Sequence, residues 1–181
     1  SDLAITVAAD KTFNDYEELV DPGKGNGPTW RRKAPGLAVF ASLAGPGPGV
    51  QLFYEDNRGF AIVNDTFYEI FIDGSSTAHG TVATAPTITP TMCSNGTAGG
   101  EVFITSGLNG YIFDLVTDTL TLIADIDFPQ GEALAGEFMD GYFIVEVFQS
   151  RGFQISALED GTSWDGLDFA ERSEGSDNLV A

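Results

Sequence analysis

The chain has 181 residues, and its 27 acidic against eight basic residues give it a formal net charge of −19. That length suits one ordinary domain. Nucleic acids and anionic membranes are bound through clustered lysine and arginine side chains, so this balance excludes a basic DNA- or RNA-binding groove and docking on anionic lipid. With 43% hydrophobic and 12% aromatic residues, the chain has the composition of a folded protein with an acidic surface.

The first 36 residues are a predicted N-terminal arm that differs in charge from the rest. Residues 1–33 contain five of the eight basic residues, whereas residues 34–181 contain three basic and 21 acidic residues. One cluster concentrates the positive charge of the arm beside an aromatic side chain, and it consists of Trp30, Arg31, Arg32 and Lys33. We expect this cluster to dock on an acidic neighbouring subunit.

Within the arm, the sequence gives little support for an α-helix. Residues 15–20 suit one short helical turn at most, because Asp-Pro-Gly follows at once. The glycine-rich stretch 23–28 suits a linker. We predict that the blades described below occupy residues 37–181 and that the first of them begins near residues 37–43.

Beyond the arm, the sequence repeats. Three segments consist of a glycine followed by an apolar stretch, and their glycines, Gly59, Gly100 and Gly141, are spaced 41 residues apart. A second apolar stretch, a turn rich in Asp, Gly, Ser and Thr, and two weaker strands complete each repeat. The predicted strands are 50–54, 59–63, 67–71 and 81–83; 91–93, 100–104, 111–115 and 120–123; and 138–139, 141–145, 153–157 and 164–169.

Four short strands in about 41 residues are typical of one β-propeller blade. We therefore predict an all-β fold, a β-propeller-like array of four-stranded antiparallel blades with about three repeats. Propellers close with about 4 to 8 blades. We expect an incomplete ring in this chain, completed by residues outside it or by other subunits, or else a short open stack of sheets.

The sequence offers little for catalysis or metal binding. His79 lies in a polar region, which predicts an exposed loop histidine. The single cysteine, Cys93, excludes an internal disulfide, and with a single histidine it excludes a zinc site of His and Cys ligands. The carboxylates considered for glycan cleavage are Asp140, Glu146, Glu159 and Asp160, and those considered for calcium are Asp125, Asp127, Asp160 and Asp165. Turn and surface roles are favoured for all of them, so no catalytic, metal or cofactor site is predicted.

Several segments also resemble one protein family. They are Ala34-Pro35-Gly36-Leu37, 100–104, 110–114, 127–129, 139–145, 153–164, 167–170 and 177–180. The run Met139-Asp140-Gly141-Tyr142-Phe143-Ile144-Val145 is among the most specific. Residues 34–180 thereby resemble the packaged-DNA stabilisation proteins of tailed bacteriophages, the head-to-tail hub or stopper proteins of short-tailed phages.

The resemblance implies a β-propeller subunit in a homo-oligomeric ring, commonly a hexamer, at the head-to-tail junction of the virion. Such a ring lies below the portal and its adaptor, plugs and gates the DNA channel, and attaches the distal tail parts. DNA passes through it without specific binding, and the family implies no catalytic residue, no cofactor and no membrane. In that family further blades follow the position equivalent to residues 178–180, so we expect further blades here.

Two alternatives to a structural virion protein rest on the repeat alone. One is a carbohydrate- or protein-binding β-propeller module, and the other, less favoured, is a glycan-cleaving enzyme. A lectin needs equivalent aromatic and polar residues in the loops of every repeat. The equivalent loops here differ in length and type, which favours the structural function.

Overall fold

The structure is a computed structural model that describes residues 15–19, 29–33, 38–45, 49–85 and 87–171. For 15–19, 29–33 and 49–50 it describes the backbone alone. Backbone contacts divide the chain into two units, Ser1–Phe40 and Ala41–Ala181. The predicted boundary at residues 36 and 37 and the predicted linker at 23–28 lie outside the described residues.

The first unit contains a two-stranded antiparallel hairpin, β1 (Asp15–Leu19) and β2 (Thr29–Lys33). The prediction of a short helical turn at residues 15–20 was therefore wrong. The register sets Asp15 opposite Lys33 and Glu17 opposite Arg31. Opposite charges at facing positions favour an antiparallel ladder, whereas so short a segment does not offset the free energy of helix nucleation.

The second unit consists of three sheets, each of four antiparallel strands in sequence order. Blade 1 contains β3 (Gly49–Glu55), β4 (Arg58–Val63), β5 (Thr66–Ile70) and β6 (Ser76–Thr81). Blade 2 contains β7 (Thr91–Ser94), β8 (Glu101–Thr105), β9 (Gly110–Asp114) and β10 (Thr119–Leu122), with a four-residue helix α1 (Gly96–Gly99) after its first strand. Blade 3 contains β11 (Ala133–Met139), β12 (Tyr142–Val147), β13 (Gly152–Ala157) and β14 (Asp160–Glu171).

The prediction of an all-β array of four-stranded antiparallel blades is confirmed. Within residues 49–85 and 87–171 the three blades do not close a ring. No helix in the part of the chain that the structure describes has the length and apolar character that crossing a membrane requires.

Several strand positions differ from prediction. In blade 3, β11 begins at Ala133 instead of at 138, and β14 spans Asp160–Glu171 instead of 164–169. Residues 38–45 are not strand, and the first blade begins at Gly49 instead of near 37–43. The last strand of blade 1 is Ser76–Thr81, ahead of the predicted 81–83. Its start follows from the tight turn before it, where Asp73 Oδ1 accepts the backbone N–H of Ser75 at 2.9 Å, so pairing resumes directly afterwards.

The core lies between the blades, in two layers. Between blades 1 and 2 it includes Phe60, Ile62, Val102, Ile104 and Phe113. Between blades 2 and 3 it contains Cys93, Phe103, Ile112, Ile123, Phe128, Ala133, Phe143, Val145 and Trp164. Successive residues of β8 therefore enter opposite layers, which explains why this strand is a continuous apolar run instead of an alternating one.

Candidate functional site: polar contacts between blades and the outer blade faces

Arg58 joins the first two blades. It is the first residue of β4, directly after a turn formed by Asp56 and Asn57, which both have positive φ. Its Nε and Nη2 donate to the two carboxylate oxygens of Glu69 on β5, at 2.7 and 2.8 Å. The guanidinium also reaches the β9–β10 turn of blade 2, where Nη1 donates to the Leu115 carbonyl at 2.8 Å and Nη2 to Asp118 Oδ1 at 2.7 Å.

This ion pair is held against the aromatic core. The Arg58 guanidinium carbon lies 5.4 Å from the ring centre of Phe60 and 5.5 Å from that of Phe113, so a ring from each blade contributes a cation–π contact. The hydrogen bond with Glu69 raises the pKa of Arg58 above its ordinary value. Burial opposes ionisation of Glu69, but hydrogen bonds from Arg58 and His79 outweigh it and hold the pKa of Glu69 below its ordinary value.

His79 belongs to the same group, and its predicted place in an exposed loop was wrong. It lies on β6, its side chain is 10% exposed, and its Nε2 is 3.1 Å from Glu69 Oε2. Because an ionised carboxylate only accepts hydrogen bonds, Nε2 is the donor. The ring packs 4.7 Å from Phe113, centre to centre. The residue thus joins the partly buried polar network of Arg58 and Glu69 between blades 1 and 2.

Between blades 2 and 3 the polar contacts use a carboxylate, an amide and backbone groups. Glu101 Oε2 accepts the N–H of Gly161 at 2.9 Å, and Asn95 Nδ2 donates to the Glu159 carbonyl at 3.3 Å. Burial raises the pKa of Glu101, and the nearby carboxylates of Asp160, Asp114 and Glu159 add to that effect.

A second group of polar contacts between blades 2 and 3 joins β7 and β8 to β11, the first strand of blade 3. Thr91 and Thr105 hydroxyls lie 2.6 Å apart on adjacent strands of blade 2. Thr91 Oγ1 accepts the N–H of Gly136 at 2.8 Å, and Thr105 Oγ1 donates to the Leu134 carbonyl at 3.3 Å, both in β11 of blade 3. Thr105 is fully buried. A polar side chain on the second strand of blade 2 therefore contacts the first strand of the next blade.

The outer face of blade 1, defined here by Ala61, Val63 and Tyr68, is covered. These three residues are 1%, 8% and 8% exposed. The Tyr68 hydroxyl donates to the Ala44 carbonyl, and Gly45 lies next to the Val63 side chain. Residues 41–45 thus form a strap across this face.

The predicted basic cluster is Trp30, Arg31, Arg32 and Lys33, and it lies on β2 of the hairpin. The register sets Trp30 opposite Glu18 and Arg32 opposite Tyr16. The structure holds no neighbouring subunit, so docking by this cluster stays a prediction.

The carboxylates considered for catalysis or calcium occupy turns and strands. Asp125 Oδ1 accepts the N–H of Asp127 and its Oδ2 that of Trp164, both at 3.0 Å, and these bonds lower the pKa of Asp125. Asp160 Oδ1 accepts from Thr162, and Asp165 Oδ1 from Leu167. Asp140 and Glu159 lie in turns with positive φ, and Glu146 lies on β12. Within the described residues no group of three His, Cys, Asp or Glu has the arrangement of a metal site.

The hairpin loops of the three blades are not equivalent. Two residues, 64 and 65, join the second and third strands of blade 1, whereas four residues join them in blades 2 and 3. A repeated ligand site at these loops would need matching geometry in each blade. The difference therefore disfavours a lectin-like site here.

Sequence reasoning missed Arg58 as the organising residue of the first interface. The available signal was its rarity, because Arg58, Arg151 and Arg172 are the only basic residues after residue 33. Its partners are 11, 57 and 60 residues away along the chain. Without the blade stacking, nothing in the sequence connects them.

Meander blades that stack face to face define this chain as a protein of the β-propeller class. Over residues 17–181 it matches the family model described as bacteriophage P22 Gp10, beta-propeller. The chain therefore belongs to this family of phage packaged-DNA stabilisation proteins, as its sequence resemblance predicted. The family is one of phage structural proteins.

Among curated proteins, none matches the chain. Solved structures with similar folds include the N-terminal domain of Nup159, with 11% identity, a TM-score of 0.44, and coverage of 82% of this chain and 33% of that one. The Pan2 WD40 domain of Neurospora crassa has 12% identity, a TM-score of 0.42, and coverage of 60% and 32%. The computationally designed Ika8 protein has 17% identity, a TM-score of 0.43, and coverage of 61% and 33%. The chain thus spans about a third of the length of each.

Proposed function

We propose that this chain is a subunit of the phage head-to-tail connector or tail that plugs and gates the DNA channel and attaches distal tail parts. The observation that carries the proposal is the family match over residues 17–181. Stacked, well-packed blades suit a rigid building block, and the carboxylates of Asp125, Asp160 and Asp165 accept hydrogen bonds within turns. The protein acts by assembly, without catalysis or a cofactor.

The charge distribution suits a wall along which DNA slides. Among residues 38–45, 49–85 and 87–171 there are 19 carboxylates and two arginines, Arg58 and Arg151. Arg58 is engaged by Glu69 and Asp118. A wall rich in lysine and arginine would retain the duplex through phosphate contacts, whereas an acidic wall repels it and lets it pass.

The same distribution suits assembly into a homo-oligomeric ring, with a hexamer expected, next to the portal or its adaptor. The basic positions of β2, Arg31, Arg32 and Lys33, have a charge opposite to that of the blades. Contacts between oppositely charged surfaces steer subunits together and fix their register. In this proposal the hairpin of one subunit docks on the acidic surface of its neighbour.

Particles assembled without this protein test the connector function. We expect heads that package DNA but lose it and fail to join distal tail parts, with recovery when the wild-type chain is supplied. Particles that retain DNA and assemble complete tails without the chain would contradict the proposal.

The sliding wall is tested with a triple variant, Glu132→Lys, Glu137→Lys and Asp168→Lys, at three exposed positions. The matched control replaces the same residues with Gln, Gln and Asn. We expect slower genome ejection in the lysine variant, with a dependence on salt that the amide control lacks, because only cations bind phosphate. Equal ejection rates at all salt concentrations would rule this idea out.

Ring assembly through the arm is tested with Arg31→Glu, Arg32→Glu and Lys33→Glu. A control with Lys11→Glu and Lys24→Glu changes the charge of the arm outside the cluster. In light scattering we expect the wild type and the control to have a mass several times 19.2 kDa. The cluster variant is expected to be a monomer, and an unchanged ring in that variant would exclude docking through the cluster.

A further inference from the structure

A groove of about 270 Å³ lies at one end of blade 3, where the β12–β13 turn and the end of β14 meet the connection from blade 2. Its apolar lining includes Val147, Phe153 and Phe169, and the last of these is 55% exposed. Asp127 and Glu171 bring carboxylates to the same groove. Pockets for small molecules measure about 300–1,000 Å³. The groove therefore has the size for one or two side chains of a partner protein.

Gln154 supplies an unused acceptor in the wall of the groove. Its Oε1 is shielded from solvent and has no hydrogen-bond partner among the described residues. On β13 the register sets Gln154 between Val145 of β12 and Phe169 of β14. A buried acceptor without a donor is destabilising, and native proteins retain few of them. The groove thus lacks a donor that a partner can supply.

The chemistry of the groove favours an arginine side chain as that donor. The carboxylates of Asp127 and Glu171 attract a cation, and the rings of Phe153 and Phe169 accept one on their faces. A guanidinium combines several N–H donors with a permanent charge and a planar surface that stacks on aromatic rings. A lysine ammonium is a strongly hydrated point charge and fits an aromatic groove less well.

Few arginines of this chain are available for such a contact. There are five of them, Arg31, Arg32, Arg58, Arg151 and Arg172. Arg58 is bound by carboxylates of blades 1 and 2, and Arg151 has an interaction of its own. Arg172 lies outside the described residues. The remaining two belong to β2 of the hairpin.

The register of the hairpin distinguishes Arg32 from its neighbours. Arg31 lies opposite Glu17 and Lys33 lies opposite Asp15, whereas Arg32 lies opposite Tyr16. Side chains directly opposite each other form the main cross-strand pairs of a sheet. Arg32 is therefore the basic position of β2 whose facing residue carries no carboxylate.

We propose that Arg32 of a second copy of this chain inserts into the groove of blade 3, where its guanidinium donates to Gln154 Oε1 beside Asp127, Glu171 and Phe169. The inference rests on the proposed ring, in which the hairpin of one subunit docks on its neighbour, and it names the site on that neighbour. Hairpin and groove are different surfaces, so each subunit uses both. A contact of this head-to-tail kind generates a ring when the rotation between subunits closes.

The first experiment identifies the segment and the chain that occupy the groove. Phe169→p-benzoylphenylalanine, at natural isotope abundance, is assembled with an excess of ¹⁵N-labelled wild type and irradiated, and the crosslinked peptides are identified by mass spectrometry. We expect a ¹⁵N-labelled peptide that contains residues 29–33. An unlabelled peptide, a peptide from residues 172–181 or a peptide from another virion protein would overturn the proposal. Leu52→p-benzoylphenylalanine, at a position 75% exposed on β3, is the control and should not yield the hairpin peptide.

The second experiment tests the named atoms by single substitutions. Gln154→Leu removes the acceptor, and Arg32→Lys keeps the charge but loses the planar fork. We expect each variant to need an about tenfold higher subunit concentration for half-assembly, whereas the matched control Arg31→Lys stays within about twofold of the wild type. The double variant should be little weaker than either single variant, because both remove the same bond. Additive effects, or an equal loss with Arg31→Lys, would overturn the pairing of Arg32 with Gln154.

The folding of the isolated chain separates docking from a structural function of Gln154. The Gln154→Leu variant should unfold no more readily than the wild type, because an unpaired buried acceptor is removed. A variant that unfolds more readily and assembles poorly would show that Gln154 acts within its own subunit, which would overturn the proposal.

Failure of the groove and failure of the ring give different results. If the triple glutamate variant at positions 31, 32 and 33 dissociates the ring but Gln154→Leu and Arg32→Lys do not, the basic cluster docks elsewhere. The groove assignment is then overturned and the proposed ring stands. If the wild type is a monomer in light scattering and in particles, the ring and the groove assignment both fail.

Discussion

Arg58 Nη2 of blade 1 lies 2.7 Å from Asp118 Oδ1 of blade 2, while the same guanidinium donates twice to Glu69 in its own blade. One side chain thereby bonds to both of the sheets that enclose the first apolar layer. The side chains of Glu69 and Asp118 are 6% and 55% exposed, so the two contacts differ in strength. Loss of the buried contact between Arg58 and Glu69 would leave the Glu69 carboxylate desolvated and without its cation.

Replacing Arg58 with methionine is expected to lower the free energy of unfolding by about 2 kcal/mol, because Glu69 is left buried without its cation. Asp118→Asn removes only the exposed partner and is expected to change stability by less than about 1 kcal/mol. Urea unfolding at neutral pH measures both values. Equal effects would show that the exposed contact matters as much as the buried one.

The lowered pKa of Glu69 predicts a specific dependence on pH. Since its folded-state pKa lies below the unfolded value of about 4.3, the carboxylate stabilises the protein above that pH. The contribution is lost as the pH falls through the folded-state pKa. The stability difference between the wild type and Glu69→Gln should therefore be larger at pH 7 than at pH 3. A difference that stays constant across this range would contradict the assignment.

The sequence predicted the blades well because the pattern is local. Each apolar strand and each Asp- or Gly-containing turn is specified within a few residues, as at Asp140-Gly141, where both residues have positive φ and form a two-residue hairpin turn. The repeated glycine nevertheless has different structural roles. Gly59 lies within β4, Gly100 ends α1 in a left-handed conformation, and Gly141 is a turn residue.

The features that sequence reasoning missed are all non-local. His79 looked like a loop residue because its neighbours are small and polar, yet it lies on an edge strand and packs on Phe113 of the next blade. The hairpin at residues 15–19 depends on a partner 10 or more residues away. The contacts of Arg58 with blade 2 depend on how the sheets stack, which no local pattern encodes. The strap over Tyr68 belongs to a segment without strand character.

The strap is testable through its one hydrogen bond. Tyr68→Phe removes the donor to the Ala44 carbonyl and is expected to lower the free energy of unfolding by about 1 kcal/mol. Proteolytic cleavage within residues 41–45 should also become faster. Tyr54→Phe is the control, since its hydroxyl contacts Asn57 on an exposed turn and its side chain is 66% exposed. Equal cleavage rates in the two variants would argue against a strap held by Tyr68.

Gly136 tests how closely blades 2 and 3 approach. A Cβ at this position would lie 2.5 Å from the Phe103 ring and 2.9 Å from the Thr105 methyl group. Gly136→Ala is therefore expected to destabilise the protein by about 1–3 kcal/mol through overpacking. Gly45→Ala, whose new Cβ would meet Val63 at 3.4 Å, is the matched control with a smaller effect. If Gly136→Ala unfolds like the wild type, the two blades are less tightly packed than described.

Glu101 and Asp114 face each other across β8 and β9 but should respond to pH in opposite ways. Burial raises the pKa of Glu101, so its contribution to stability is present below the unfolded pKa of about 4.3 and is lost as the pH rises through the folded-state pKa. The N–H groups of Thr117 and Val116 lower the pKa of Asp114, so its contribution is present above its unfolded pKa and is lost on acidification.

Glu101→Gln keeps an acceptor for Gly161 and should gain stability relative to the wild type between pH 4 and pH 8. Asp114→Asn should lose stability relative to the wild type over the same range, and urea unfolding of both variants at the two pH values measures the sign. Changes of the same sign would mean that solvent, and not burial, sets the ionisation of Glu101.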